Sequence, residues 1–217
     1  MTIVVVSASI GERRRAAFFT PAIDRRPDGV RYLAFSTSGI KSDFWESIKV
    51  GRVLADPVRD AKRFKVRSIG IVREVVPDVS RIMWVDRHCR LMCDPVEVFK
   101  QLDNDGAYLG VVRHSRGCIY REGRACIQKN KDDPTIIKSM MQRFRDEGFR
   151  HRSGLFFGGW LAFKVGEPSE RFLRLWWNYI ETGSRRDQLS MPVAIQRSGV
   201  PFKQFQGHEK FISIKGH

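Results

Sequence analysis

Apolar residues fall into short unbroken runs separated by stretches of helical periodicity, the pattern of sheet strands buried on both faces and alternating with amphipathic helices. Thr2 to Ser7 is the first such run, and its β-branched residues without polar alternation predict a central parallel strand. Arg31 to Ser36 predicts a second, ended by the turn-forming Ser36-Thr37-Ser38-Gly39. From Pro57 to Val76 the period becomes helical, with Pro57 suited to a first turn, Pro77 closing the segment and Gly70 a weak point inside it. Arg81 to Val85 is again a buried strand and delivers Asp86 at its carboxyl end, where ligands bind in open α/β sheets.

The second half continues the alternation. Asp94-Pro95 opens a helix through Leu102, and Gly106 to Arg113 reads as a strand. Asp132-Asp133-Pro134 caps a helix whose apolar stripe is Ile137, Met140, Met141 and Phe144 and which stops at Gly148. Leu155 to Val165 reads as a strand interrupted at Gly158-Gly159, and Pro168 to Thr182 as a helix turning Phe172, Leu173, Trp176, Trp177 and Ile180 to the core. The expected fold is therefore α/β, a single domain over residues 1–217 with a mixed, mostly parallel sheet flanked by helices.

Charge changes this picture more than composition does. Thirty-nine Lys and Arg against 24 Asp and Glu give a formal +15, an excess that attracts polyanions and says nothing about fold. The basic residues are spread over Arg13 to Arg15, Arg59 to Arg67 and Arg113 to Arg152, and a solvated surface accounts for them as well as a phosphate-rich partner does. No apolar run approaches the roughly 20 residues of a membrane span, so a soluble, cytoplasmic protein is expected. Cys89, Cys93, Cys118 and Cys126 lack disulfide-scaffold or structural-zinc spacing and read as reduced thiols.

A Walker A loop, a G-x-G-x-x-G turn and a G-x-S-x-G elbow are all missing, which removes most support for kinase, dinucleotide-binding and α/β-hydrolase readings. What remains is Asp86 at a strand end with His88 two positions on, a spacing that can serve one divalent cation bridging a diphosphate. An aspartate capping a turn beside a surface histidine has the same sequence.

Four motifs in order are more specific: Val112-Arg113-His114-Ser115-Arg116-Gly117-Cys118-Ile119-Tyr120-Arg121-Glu122, Lys131-Asp132-Asp133-Pro134, Phe144-Arg145-Asp146-Glu147-Gly148-Phe149, and Trp176-Trp177 with Ser184-Arg185-Arg186-Asp187-Gln188-Leu189-Ser190. Together with Trp84-Val85-Asp86 they make residues 62–199 resemble the glycosyltransferase-like domain of the plant turgor-regulation-defect and mucilage-related proteins and their bacterial relatives. Arg87 stands where that family has glycine, and Arg121 and Gly123 break its acidic run. The chain reads as a minimal microbial or phage version without the plant members' anchor.

The resemblance implies a GT-A-type fold and transfer of a sugar from a nucleotide-sugar donor with Mn2+ or Mg2+ as cofactor. It makes Asp86 the metal and diphosphate residue, with His88 and the late His208 or His217 as further ligands. Ser7, Ala8, Lys65, Arg113 and His114 are expected on the donor side. Arg186, Asp187 and Gln188 are the expected catalytic cluster, with Asp187 on the acceptor hydroxyl; the same residues also read as a helix cap. The charge adds the expectation of a polyanionic acceptor, DNA with a hydroxylated base included. A non-catalytic nucleic-acid-binding protein is the alternative, though RNA-recognition, helix-turn-helix and zinc-finger signatures are missing. Some members of the family have been described as lipid amidases, but the sequence shows neither a hydrolytic metal cluster nor a nucleophile elbow.

Overall fold

The computed structural model describes residues 2–11, 18–23 and 26–214. The basic Arg13 to Arg15 segment and His217 lie outside them. In chain order the elements are β1 (Thr2–Ser9), β2 (Val30–Ser36), β3 (Glu46–Lys49), α1 (Pro57–Val66), α2 (Ser68–Arg73), β4 (Val79–Val85), β5 (Cys89–Leu91) and α3 (Pro95–Asn104). They continue with β6 (Leu109–Arg113), α4 (Ile119–Gln128), α5 (Pro134–Asp146), β7 (Phe156–Lys164), α6 (Glu167–Thr182), α7 (Asp187–Ser198), β8 (Phe202–Phe205) and β9 (Ile212–Ile214).

Seven strands form one sheet in the order β3-β2-β1-β4-β7-β6-β8, and β5 pairs with β9 in a small ribbon. Within the large sheet β7 runs antiparallel to both its neighbours, while the other pairings are parallel. The sheet is thus mixed and mostly parallel, as the apolar runs led one to expect. Because β7 is reversed, its amino end lies at the same sheet edge as the carboxyl ends of β1, β4, β6 and β8, and that edge carries the site.

Both faces of the sheet are covered. Val4, Val6, Leu33, Ile82 and Leu161 pack under α1, α2 and α4 to α7, and Ile3, Val5, Tyr32, Met83 and Trp160 pack against α3 and the β5–β9 ribbon. Burial on both faces explains why these strands show no polar alternation. Three helices begin with one device: Asp56, Asp94 and Asp133 each precede a proline and accept hydrogen bonds from the first-turn amides.

Several boundaries differ from the sequence pattern. The helix expected over Pro57 to Val76 is two helices broken at Arg67, whose φ of −105° and ψ of 18° leave the helical region, while Gly70 lies inside α2. The strand expected from Gly106 begins at Leu109, since Gly106 takes a turn with φ of +62°. Gly158 and Gly159 do not interrupt β7. Gly159 packs where a Cβ would lie 2.3 Å from the Phe157 ring and 3.2 Å from Cys89 Sγ. Among the described residues no helix is long and apolar enough to cross a membrane.

Candidate active site

At the carboxyl ends of β1 and β4 a cavity of about 300 Å³ opens toward α1. Ala8, Ser9 and Gly11 form one wall, Trp84, Asp86, Arg87 and His88 a second, and Pro57, Val58, Ala61 and Lys62 of α1 the third. Asp86 is held at its mouth from three directions. Its amide donates to Gly159 O at 2.8 Å, Trp84 Nε1 donates to Oδ1 at 2.6 Å, and Lys65 Nζ lies 3.2 Å from the same oxygen.

Behind the cavity these contacts extend into a buried charge network. Lys65 is fully buried and donates to Asp187 Oδ2 at 2.8 Å and to Gly158 O at 2.5 Å. Lys62 Nζ stands 3.2 Å from the same Asp187 oxygen. Gly158 packs directly against the Asp187 carboxylate, where a Cβ would lie 3.6 Å from Oδ2. Two cations therefore balance two carboxylates, of which Asp187 is buried and Asp86 reaches the cavity.

The protonation states follow from this balance. Burial opposes the charge of Asp187, but Lys62 and Lys65 outweigh it and hold the carboxyl well below the usual carboxylate range. Burial likewise disfavours ionised Asp86, and Lys65 and then Lys62 overturn that and lower its pKa. Burial works against the Lys65 ammonium too, yet Asp187 and Asp86 raise its pKa above the ordinary value. For Lys62 burial prevails over Asp187 and the pKa falls.

Asp187 does not cap α7. Arg186 occupies the cap position without a side-chain cap bond, and the Asp187 carboxylate turns inward to the lysines. The preceding loop is fixed from elsewhere: Asp132 Oδ2 accepts from Ser184 Oγ at 2.6 Å and from the Arg185 amide at 2.9 Å, and Trp176 Nε1 donates to Asp187 O at 2.9 Å. Two motifs distant in sequence, Lys131 to Pro134 and Ser184 to Ser190, thus meet in space. The sequence shows Asp132 in a helix-opening motif, but its pairing with Ser184 and Arg185 has no local signature.

Of the expected donor-side residues, Ala8 and Asp86 line the cavity, Ser7 is buried in β1 just before it, and Lys65 sits one layer behind. Arg113 ends β6 and His114 follows it, separated from β4 by β7, and neither is among the cavity-lining residues. His114 is half-buried; burial lowers its pKa, as does nearby His208. Buried polar atoms without partners gather near this edge. They include Ser7 Oγ, Ser9 Oγ and Gln188 Nε2. Unpaired buried polar atoms are costly, and a bound polar ligand is one way of satisfying them.

Among the described residues no three His, Cys, Asp or Glu side chains gather into a metal cage. Asp86 and the exposed His88 share the cavity wall; His208 is not among the cavity-lining residues and stands 6.5 Å from Phe157 between ring centroids and 3.5 Å from Glu209 Oε2. Magnesium-like cations take one or two protein carboxylates and complete their shell with phosphate oxygens and water. The donor set of Asp86 and His88 fits a cation that arrives with a diphosphate, and does not fit an all-protein site.

A mostly parallel sheet with one reversed strand, and a cavity holding Asp86 at the carboxyl end of β4, are the features of a GT-A-type glycosyltransferase. The chain belongs to the TOD1/MUCI70 glycosyltransferase-like domain family, whose pattern matches residues 38–209. This bears out the resemblance read from the ordered motifs. A glycosyltransferase involved in glycosylation of the major capsid of PBCV-1 shares the fold, with a TM-score of 0.51 and 7% identity over 95% of this chain and 82% of that one. Mouse xyloside xylosyltransferase 1 in its apo form gives a TM-score of 0.46 at 12% identity, over 94% of this chain and 84% of that one. No curated protein sequence matches the chain.

Proposed function

We propose that the protein, acting as a single domain, transfers a sugar from a nucleotide-sugar donor to a hydroxyl group, with the donor diphosphate in the cavity between β1, β4 and α1. The observation that carries this reading is the buried Asp86–Lys65–Asp187–Lys62 network backing a strand-end cavity in a chain of this family. Asp86 and His88 would hold a Mn2+ or Mg2+ ion. When bound, that ion supplies Lewis-acid stabilisation of the charge on the leaving diphosphate.

The chain's own residues do the rest. Ser9 offers a hydroxyl to the donor inside the cavity, and Lys65 fixes the spacing of the two carboxylates. Arg186, Asp187 and Gln188 begin α7 beside that network and form the acceptor side, where Gln188 Nε2 brings a buried donor without a partner. Asp187, held deprotonated by two ammonium groups, acts there by charge and position more than by taking up a proton.

The acceptor we favour is a polyanion, with DNA bearing hydroxylated bases one member of that class. The support is the formal charge of +15 spread over several segments. Transfer is tested by release of nucleoside diphosphate from a panel of nucleotide-sugars, with manganese and with chelator. Acceptor binding is tested between about 50 and 200 mM salt, where several phosphate contacts cost on the order of a thousandfold in affinity. Flat binding across that range removes the polyanion and leaves sugar transfer to be tested on neutral glycans and proteins.

A further inference from the structure

The two lysines of the network are not equivalent. An ammonium group has three N–H donors. Lys65 spends its donors on Asp86, Asp187 and Gly158 O, is fully buried, and does not line the cavity. Lys62, one turn earlier on α1, meets a single protein oxygen in the network, Asp187 Oδ2, and forms part of the cavity wall with Ala61 beside it. Its side chain is 16% exposed, so its contact with solvent is small. Lys65 is built as an internal strut, and Lys62 as a cation with donors to spare at the cavity.

The charge balance points the same way. Asp86 and Asp187 bring two negative charges to this end of the sheet, Lys65 cancels one, and Lys62 the other. Without Lys62, Lys65 alone among the lysines would face both carboxylates, and the cavity wall would lose the ammonium nearest Asp187.

We propose that Lys62 is a catalytic residue that binds the donor diphosphate and takes up the charge it gains on leaving, while Asp187 serves as its counter-ion. This rests on the sugar-transfer reading above. In the step concerned the bond between the anomeric carbon and the diphosphate oxygen breaks, and its electron pair stays on the phosphate. The acceptor oxygen forms the new bond to the anomeric carbon, and its proton is released to solvent. A fixed ammonium beside the departing oxygen stabilises that change most in the transition state, when the charge is developing.

Lys62→Gln removes the charge and keeps a hydrogen-bond donor for Asp187, which also retains Lys65, so the fold is expected to survive. Lys62→Arg restores the charge. The measurement is calorimetric affinity for UDP, GDP, ADP, CDP and dTDP and their monophosphates in manganese buffer, with melting temperatures alongside. Wild type should favour one diphosphate over its monophosphate. The Gln variant should lose about tenfold or more on the diphosphate, as expected for a lost charge-assisted hydrogen bond, and little on the monophosphate. The Arg variant should recover most of the loss. A Gln variant that binds the diphosphate as tightly as wild type overturns the role of Lys62 and leaves the donor reading standing. A wild type without preference for any diphosphate overturns both.

Discussion

Lys65 Nζ lies 2.8 Å from Asp187 Oδ2, and this contact fastens α1 to the first turn of α7 across 122 residues of chain. The same ammonium reaches Asp86 at the end of β4, so one buried lysine sets the distance between the two carboxylates of the candidate active site. Buried ion pairs add little net stability compared with apolar packing, but removing one partner exposes the full cost of the other. The network is therefore read as a device for fixing geometry.

Replacing Lys65 with Met should accordingly destabilise the protein by about 3–5 kcal/mol, because buried carboxylates lose their main cation. Arg should not rescue it, since Lys65 is fully enclosed and a larger head would overpack the site. Urea denaturation of the two variants checks this. A Met variant as stable as wild type would show that Lys62 alone satisfies Asp187.

The acid limb of stability should depend on Asp187. Its folded pKa is depressed below the ordinary value of 3.8, so its contribution is fully present above that value and is lost as the pH falls through the lower folded value. Asp187→Asn should be less stable at neutral pH, and its curve should approach that of wild type as the solution is made more acidic than pH 3.8. Urea midpoints across this range provide the test. Parallel curves would mean that Asp187 is not the group titrating.

Asp132, next to the α5 cap residue Asp133, should prove important to the site. Asp132→Ala would leave Ser184 Oγ and the Arg185 amide without their acceptor, at a cost of about 1–3 kcal/mol. Because these residues lead into Asp187, turnover should fall further than the lost stability alone explains. Assays well below the variant's melting temperature separate the two effects. Turnover equal to wild type there would confine Asp132 to a structural role.

The fold was legible where burial is two-sided and local. Val4 to Val6 and Ile82 to Val85 are apolar because both sheet faces are covered, and Pro57 announced α1 as the aspartate-proline pairs did α3 and α5. α4 was missed because Glu122 and Gly123 fall on its buried face, among Ile119, Tyr120 and Cys126. Gly123 is there because a Cβ would come within 3.1 Å of Met141. The break at Arg67 carries neither glycine nor proline and depends on tertiary packing. In the site, Asp86 announced itself by its place at a strand end, and Asp187 through its motif. Lys65 was expected on the donor side but Lys62 was not, because both lie in a basic stretch, Arg59 to Arg67, whose members look alike until the fold turns these two toward Asp187. Long-range charge pairing leaves no period in the sequence.

The central claim is that the Asp86 cavity transfers sugar, and the most direct measurement is release of nucleoside diphosphate from a nucleotide-sugar panel by wild type and Asp86→Ala, with both shown to be folded. Wild type should show manganese-stimulated release, and the variant a loss of about a hundredfold or more, the scale on which removing one transition-state electrostatic contact acts. Equal release by the two proteins, with unchanged dependence on manganese, would contradict it.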